Sequence, residues 1–229
     1  MTVQTPALAA TRAAHPRVCA RPGCSAARPR WLIVPGLHDS GPAHWQSWLQ
    51  RRARDSRRVQ QADWHQPDLE GWSDRIADTL AAEPPGPWLA VAHSFGCLAV
   101  LAHLARTGVD ADAGQGVVAA LLVAPADPRR FGLEQRLARR VPLDDCTVLA
   151  SSSDPWLPTH LALPWAHVWG ARLIDLGDAG HVNAEAGYGP WPRVQQLAEQ
   201  ANQRCVARHR AGTEALDVQV RGLRASARA

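Results

Sequence analysis

A chain of 229 residues, 46% of them hydrophobic, has enough apolar material for one α/β domain with a sizeable core. No stretch approaches the roughly 18 uninterrupted apolar residues that would cross a membrane. The formal net charge of +4 resides in the ends, since residues 1–30 hold five Arg and no acid and residues 203–229 hold six Arg against Glu214 and Asp217, whereas residues 31–202 carry 14 Arg against 19 acids, which argues against a nucleic-acid-binding face on the domain.

All 25 basic residues are arginine, a bias that reads as GC-rich coding. The five cysteines, Cys19, Cys24, Cys97, Cys146 and Cys205, are too scattered for a disulfide framework or a zinc site and fit a reducing cytoplasm. Residues 1–30 lack the apolar run of a secretory signal. They read as a disordered leader or the product of a start codon placed too far upstream, with a faint likeness to an organelle transit peptide. The expected division is this leader, a domain over 31–203 and a basic tail over 204–229.

The ordered chain opens with a short strand at Trp31–Val34 that ends in Pro35-Gly36. A loop over Leu37–Pro42 and a helix over Ala43–Arg54 follow, with Trp45, Trp48 and Leu49 on one helical face. Arg57–Ala62 is a second, moderately apolar strand, trailed by Trp64 and His65. A helix over Ser73–Ala82 closes at Pro84-Pro85-Gly86-Pro87. Trp88–Ala92 is a third strand that runs without a loop into His93-Ser94-Phe95-Gly96, and helix formers continue to a stop at Thr107-Gly108. Val117–Val123 is the most continuously apolar strand. About twenty residues, with one short helix at Leu133–Arg140, separate it from a fifth strand at Cys146–Ala150. Pro158–Trp169 has helical tendency interrupted by Pro164. Arg172–Leu176 is a sixth strand, and a helix over Trp191–Asn202 closes the domain.

A strand that becomes a helix with no intervening loop must turn sharply at one residue, here Ser94. The pattern is that of a nucleophile elbow, which needs small residues two before and two after the serine because the backbones nearly touch there. Ala92 and Gly96 occupy those places, Ala92 being the mildest departure from glycine. Taken alone, Ser94 reads equally as a helix N-cap.

Strands alternating with helices and apolar along their length imply a doubly wound, mostly parallel six-stranded sheet. Its strands' C-terminal ends then share one edge, where ligands bind. Trailing those ends are His38, Trp64, Ser94, Asp127, Asp154 and His181. Ser94, Asp154 and His181 are the parts of a Ser-His-acid triad in the chain order of α/β-hydrolases. His181 is then the base, Asp154 the residue that orients it, and the N–H groups of Leu37 and Phe95 the oxyanion donors. Asp127 remains an alternative acid. His93 is expected to point away from Ser94 and pack. His38, Trp64, Asp127 and Trp156 are expected to line the substrate pocket. No His or Asp spacing suits a metal.

These pieces resemble a small α/β-hydrolase of the serine-hydrolase family that includes the YdeN-type bacterial proteins and the retinoblastoma-binding serine hydrolases. The likeness rests on Val34-Pro35-Gly36, Ser40-Gly41-Pro42 with His44-Trp45-Gln46-Ser47-Trp48, Ala92–Cys97, Ala124–Asp127, Ser152–Pro155, Gly180–Asn183 and Gly189–Pro192. It covers residues 31–193. It implies a minimal α/β-hydrolase fold with a small lid or none, no cofactor and a Ser-Asp-His triad. The Leu-x-Cys-x-Glu segment of retinoblastoma binding is absent, so that partner does not carry over.

The expectation is a cytoplasmic serine esterase acting on a small acyl substrate, an ester or else a thioester or amide, with neither nucleic acid nor membrane as partner. A binding or scaffold protein on the same fold is the alternative. A nucleotide-binding domain fits less well, because Gly36–Gly41 lacks the Gly-x-Gly-x-x-Gly pattern. Nothing in the sequence specifies an oligomeric state.

Overall fold

The computed structural model describes residues 27–107 and 116–226. The leader up to residue 26, with Cys19 and Cys24, the Gly108 helix stop and the last three residues of the tail lie outside the described residues.

Six strands form one sheet in which every pairing is parallel: β1 (Arg30–Val34), β2 (Arg57–Arg58), β3 (Pro87–Ser94), β4 (Gly116–Pro125), β5 (Cys146–Ala150) and β6 (Arg172–Asp175), in the order β2-β1-β3-β4-β5-β6. The chain starts at β1, steps outward to β2, then returns past β1 to β3 and walks to β6. The order therefore reverses between β1 and β3, and the crevice beyond their C-terminal ends is where an open α/β sheet binds ligands.

The strands are apolar on both faces because both are covered. One face carries Leu32, Val34, Trp88, Ala90, Ala92 and Val148 against α2 (Leu69–Ala81), α3 (Phe95–Thr107), α4 (Glu134–Leu137) and α5 (Thr159–Trp169). The other carries Trp31, Ile33, Leu89, Val91 and Leu149 against α1 (Trp45–Arg52) and α6 (Pro192–Ser226). This is the doubly wound arrangement of a minimal α/β-hydrolase fold. Among the described residues no helix is long and apolar enough to cross a membrane.

Several elements differ from expectation. The second strand shrinks to Arg57 and Arg58, beyond which buried Val59 and Gln61 alternate with exposed Gln60 and Ala62, and the Arg58 side chain bonds the Ser40 carbonyl at 2.7 Å and the Asp39 carboxylate. Helix α2 begins four residues early because Asp68 caps it, accepting the Gly71 N–H at 3.1 Å. Helix α5 runs through Pro164, which lies on its exposed side. Helix α6 does not stop at Asn202: it crosses the expected boundary at 203 and reaches Ser226 on Ala- and Arg-rich sequence. Its Arg204 and Arg208 bond the buried Asp145 carboxylate at 2.7 and 2.5 Å, so the start of the basic segment packs on the domain.

The segment between β4 and β5 is a strap. A 3-10 turn (Pro128–Phe131) and the single turn of α4 replace the longer helix expected at 133–140. Leu133, Leu137 and Val141 are buried, and Trp169 fixes the strap, its indole N–H donating to the Leu137 carbonyl at 3.0 Å and its carbonyl accepting the Val141 N–H at 3.1 Å.

The closest backbone approach lies at the elbow. A Cβ on Gly96 would stand 2.3 Å from the Pro35 carbonyl oxygen and 2.6 Å from that of Val34, both backbone atoms that cannot swing aside. Gly96→Ala is expected to destabilise the fold by about 1–3 kcal/mol or more, as overpacking does. Gly41→Ala, where a Cβ meets nothing within 4 Å, serves as control. Chemical denaturation of both variants checks this, and an unshifted midpoint for Gly96→Ala contradicts it.

Candidate active site

Strand β3 ends at Ser94 and helix α3 begins at Phe95 with no residue between them. Ser94 takes φ 52°, in the left-handed region that side chains avoid. An N-capping serine has extended backbone, so capping does not explain this residue. Gly36 makes room for the turn, since a Cβ there would stand 2.7 Å from the Ser94 Cβ. Ala92 fits fully buried in the sheet.

The Ser94 hydroxyl donates to His181 Nε2 at 3.0 Å, and His181 Nδ1 lies 2.9 Å from Asp154 Oδ2 and 3.1 Å from Oδ1. A carboxylate only accepts, so the neutral ring holds its proton on Nδ1 and turns the Nε2 lone pair to the serine. Asp154 is 2% exposed, and the Trp156 N–H also donates to its Oδ1 at 2.9 Å.

The serines before Asp154 tie its loop to that of His181. Ser151 Oγ accepts the Ala179 N–H and Ser153 Oγ accepts the Gly180 N–H, both at 3.0 Å, while Ser152 N–H donates to the Gly177 carbonyl at 2.9 Å. Sequence reasoning gave these serines no role. Their signal was a run of short hydroxyl side chains next to the candidate acid.

Asp127 is engaged elsewhere. Its Oδ1 accepts the Arg129 N–H at 3.1 Å, capping the 3-10 turn, and Arg129 Nε at 3.0 Å. The structure thus brings together Ser94, His181 and Asp154, with Asp127 only on the cavity wall.

Behind β1, His38 N–H donates to the Trp64 carbonyl at 2.8 Å and Asp39 N–H to the Gly36 carbonyl at 3.2 Å, leaving the Leu37 N–H without an acceptor among the described residues. Phe95 opens a helix, where N–H groups lack intrahelical acceptors. Both donors border the serine, as an oxyanion site requires.

A cavity of about 510 Å³ opens above Ser94, walled by Leu37, His38, Asp127, Phe131, Trp156 and the Asn183–Glu185 turn, among others. Trp156 is 49% exposed, with its ring 6.4 Å from that of His181 and the Arg130 guanidinium 4.9 Å over it. Trp64 does not reach the cavity. Its ring packs edge-on against Trp72 at 5.7 Å over the α2 core, and only its carbonyl supports the site. The wall residues Arg130 and Phe131 were not anticipated, because the strap that carries them has no periodic pattern.

His38 Nδ1 lies 2.9 Å from His65 Nδ1 at the exposed rim. Burial, followed by the Arg58 charge, pushes the His44 imidazolium from 6.5 down to about 4, so this wall histidine is neutral. Among the described residues no three His, Cys, Asp or Glu side chains are grouped to hold a metal ion. A larger, open groove of about 720 Å³ along α6, bordered by Arg28, Glu199 and Asn202, holds no nucleophile–base pair.

A family model described as Serine hydrolase matches residues 31–200. A YdeN-like protein from Pectobacterium atrosepticum is 37% identical, with 76% of this chain and 91% of that one covered at a TM-score of 0.69. The ydeN gene product of Bacillus subtilis, 21% identical, aligns over 76% of this chain and 98% of its own with a TM-score of 0.64. Est1E from Butyrivibrio proteoclasticus with ferulic acid bound, 10% identical, shares the fold at a TM-score of 0.56 over 80% of this chain and 90% of its own. No curated protein matches the chain.

The two carboxylates can be separated by experiment. Asp154→Asn is expected to keep the fold and to lower kcat by up to about four orders of magnitude through the wrong histidine tautomer. Asp127→Asn is expected to cost much less. Steady-state kinetics of both variants on one ester checks this, and a dead Asp127→Asn beside an active Asp154→Asn reverses the assignment.

Proposed function

The chain belongs to the serine hydrolase family, among its small YdeN-like members, and from that premise we propose that it cleaves a small acyl ester through an acyl-enzyme formed on Ser94. The observation that carries this reading is the continuous hydrogen-bond chain from Ser94 Oγ through His181 to Asp154, at 3.0 and 2.9 Å.

A serine hydroxyl becomes an effective nucleophile only as a base removes its proton. His181 Nε2 takes that proton while Oγ attacks the acyl carbon, and Asp154 steadies the imidazolium that forms. The carbonyl oxygen becomes an oxyanion between the Leu37 and Phe95 N–H groups, each such donor contributing about 10²–10³ in rate. On collapse His181 returns the proton to the leaving alcohol. A water then repeats the sequence on the acyl-enzyme and frees the acid and Ser94. A thioester would follow the same course. An amide demands more of the proton returned to its leaving nitrogen.

Burial pushes the Cys97 thiol well up and that of Cys146 up to about 12, so neither competes as nucleophile. With Cys97, Cys146 and Cys205 all free, a reducing cytoplasm suits the protein. Substrate size follows from the strap. It is short, is tethered to Trp169 and places Phe131 in the cavity wall, and a small fixed cover of this kind favours short acyl groups.

A fluorophosphonate probe is expected to label the protein once, on Ser94. Ser94→Ala should abolish labelling and leave the thermal melt nearly unchanged. On p-nitrophenyl esters the rate should peak at short acyl chains. Labelling that persists in Ser94→Ala contradicts the nucleophile, and a preference for palmitate over butyrate contradicts the size argument.

A further inference from the structure

The triad leaves unexplained the run His44-Trp45-Gln46 and the histidine directly before Ser94. Both converge on the loop that carries His181. His93 Nε2 lies 2.9 Å from the His181 carbonyl oxygen, and the Trp45 indole N–H donates to the Val182 carbonyl at 2.8 Å. Two successive carbonyls of the loop are thus held by two ring N–H donors, on residues 5% and 0% exposed. Between them the backbone turns through the left-handed region at Val182, φ 49°, a conformation that its surroundings must impose.

The donors are themselves fixed to the strand ends that form the site. The Gln46 amide donates to the Val34 and Val91 carbonyls at 3.1 and 3.0 Å and accepts the Ser40 hydroxyl at 2.6 Å. Helix α1 is therefore pinned to β1 and β3, the strands that lead to Leu37 and Ser94. His93 is the residue before the nucleophile, so its ring has the elbow itself as its frame.

A carbonyl only accepts, which places the His93 proton on Nε2. Its ring packs 4.8 Å from that of His181 and 4.9 Å from that of His44, measured between centroids. Burial, together with the neighbouring His181 and His44, pushes its ionisation well below the ordinary range, so the ring stays neutral and takes no part in proton transfer.

Resting on the reading of His181 as the base, we propose that His93 is a positioning residue whose Nε2–H, with the indole N–H of Trp45, fixes the His181 loop and thereby the distance from His181 Nε2 to the Ser94 hydroxyl. Its contribution is geometric and falls on the chemical step. Displacing a catalytic group by about 1 Å costs on the order of 10² in rate.

The test uses the full chain and four proteins: wild type, His93→Leu, His93→Gln and Trp45→Phe. Each is assayed for kcat and KM on p-nitrophenyl butyrate, for the rate of fluorophosphonate labelling, and for its melt. His93→Leu removes the donor, and His93→Gln replaces it with an amide N–H of similar reach. The expected result is a loss of about 100-fold in kcat for His93→Leu with KM within about threefold, and labelling slowed in step. His93→Gln should recover about tenfold or more of that loss, and Trp45→Phe should lose about tenfold. Wild-type kcat in His93→Leu overturns the proposal, and so does a His93→Gln no faster than a folded His93→Leu, since packing alone would then be at work. If His93→Leu does not fold, Trp45→Phe decides, and an unchanged kcat there overturns the proposal. Failure of the triad reading shows separately, as a wild-type protein that the probe does not label on Ser94.

Discussion

Ser94 holds a backbone conformation at φ 52° that costs a residue with a side chain about 1–3 kcal/mol, and it holds it because two glycines let three segments of backbone meet there. Gly36 admits the Ser94 Cβ and Gly96 admits the carbonyls of Val34 and Pro35. The pairing of β1 with β3, in register from Arg30 opposite Trp88 to Val34 opposite Ala92, brings these residues together. That pairing is also the point at which the strand order reverses, so one contact both strains the serine and opens the crevice above it. Ser94 and the backbone N–H groups of Leu37 and Phe95 then belong to one unit.

The remaining groups reach this unit by loops, and each loop is tied down by hydrogen bonds that engage the backbone of distant segments. Ser151, Ser152 and Ser153 fasten the Asp154 turn to the residues before His181. His93 and Trp45 fasten the residues at and after it. Such a scaffold is costly to assemble and rigid once made, which suits a site whose hydrogen bonds must be in place before charge develops. The strap follows the same logic: held by Trp169 through Leu137 and Val141, it forms a wall of the cavity.

Much of this was legible in the sequence, and for specific reasons. Strands buried on both faces write themselves as apolar runs, so element order and the parallel sheet could be read from Trp31 to Leu176. Ser94, Asp154 and His181 stood out because each trails a strand, and parallel strands send those ends to one edge. What was not legible depended on contacts between remote segments. Trp64 trails a strand too, yet Trp72 draws its ring into the core. Arg58 stays paired with Ile33 while its side chain reaches the Ser40 carbonyl, and Arg204 and Arg208 find Asp145 on the far side of the chain. The bonds from His93 and Trp45 to the His181 loop span 88 and 137 residues and leave no periodic trace.

The central claim, that Ser94 carries the acyl group, is tested most directly by trapping it. Incubation with p-nitrophenyl trimethylacetate, whose hindered acyl group slows deacylation, followed by acid quench and peptide mass analysis, reports where that group resides. The account predicts a burst of nitrophenol of about one per protein and a single trimethylacetyl group on the peptide bearing Ser94. Steady hydrolysis with Ser94 unmodified, or the acyl group on another residue, would contradict it.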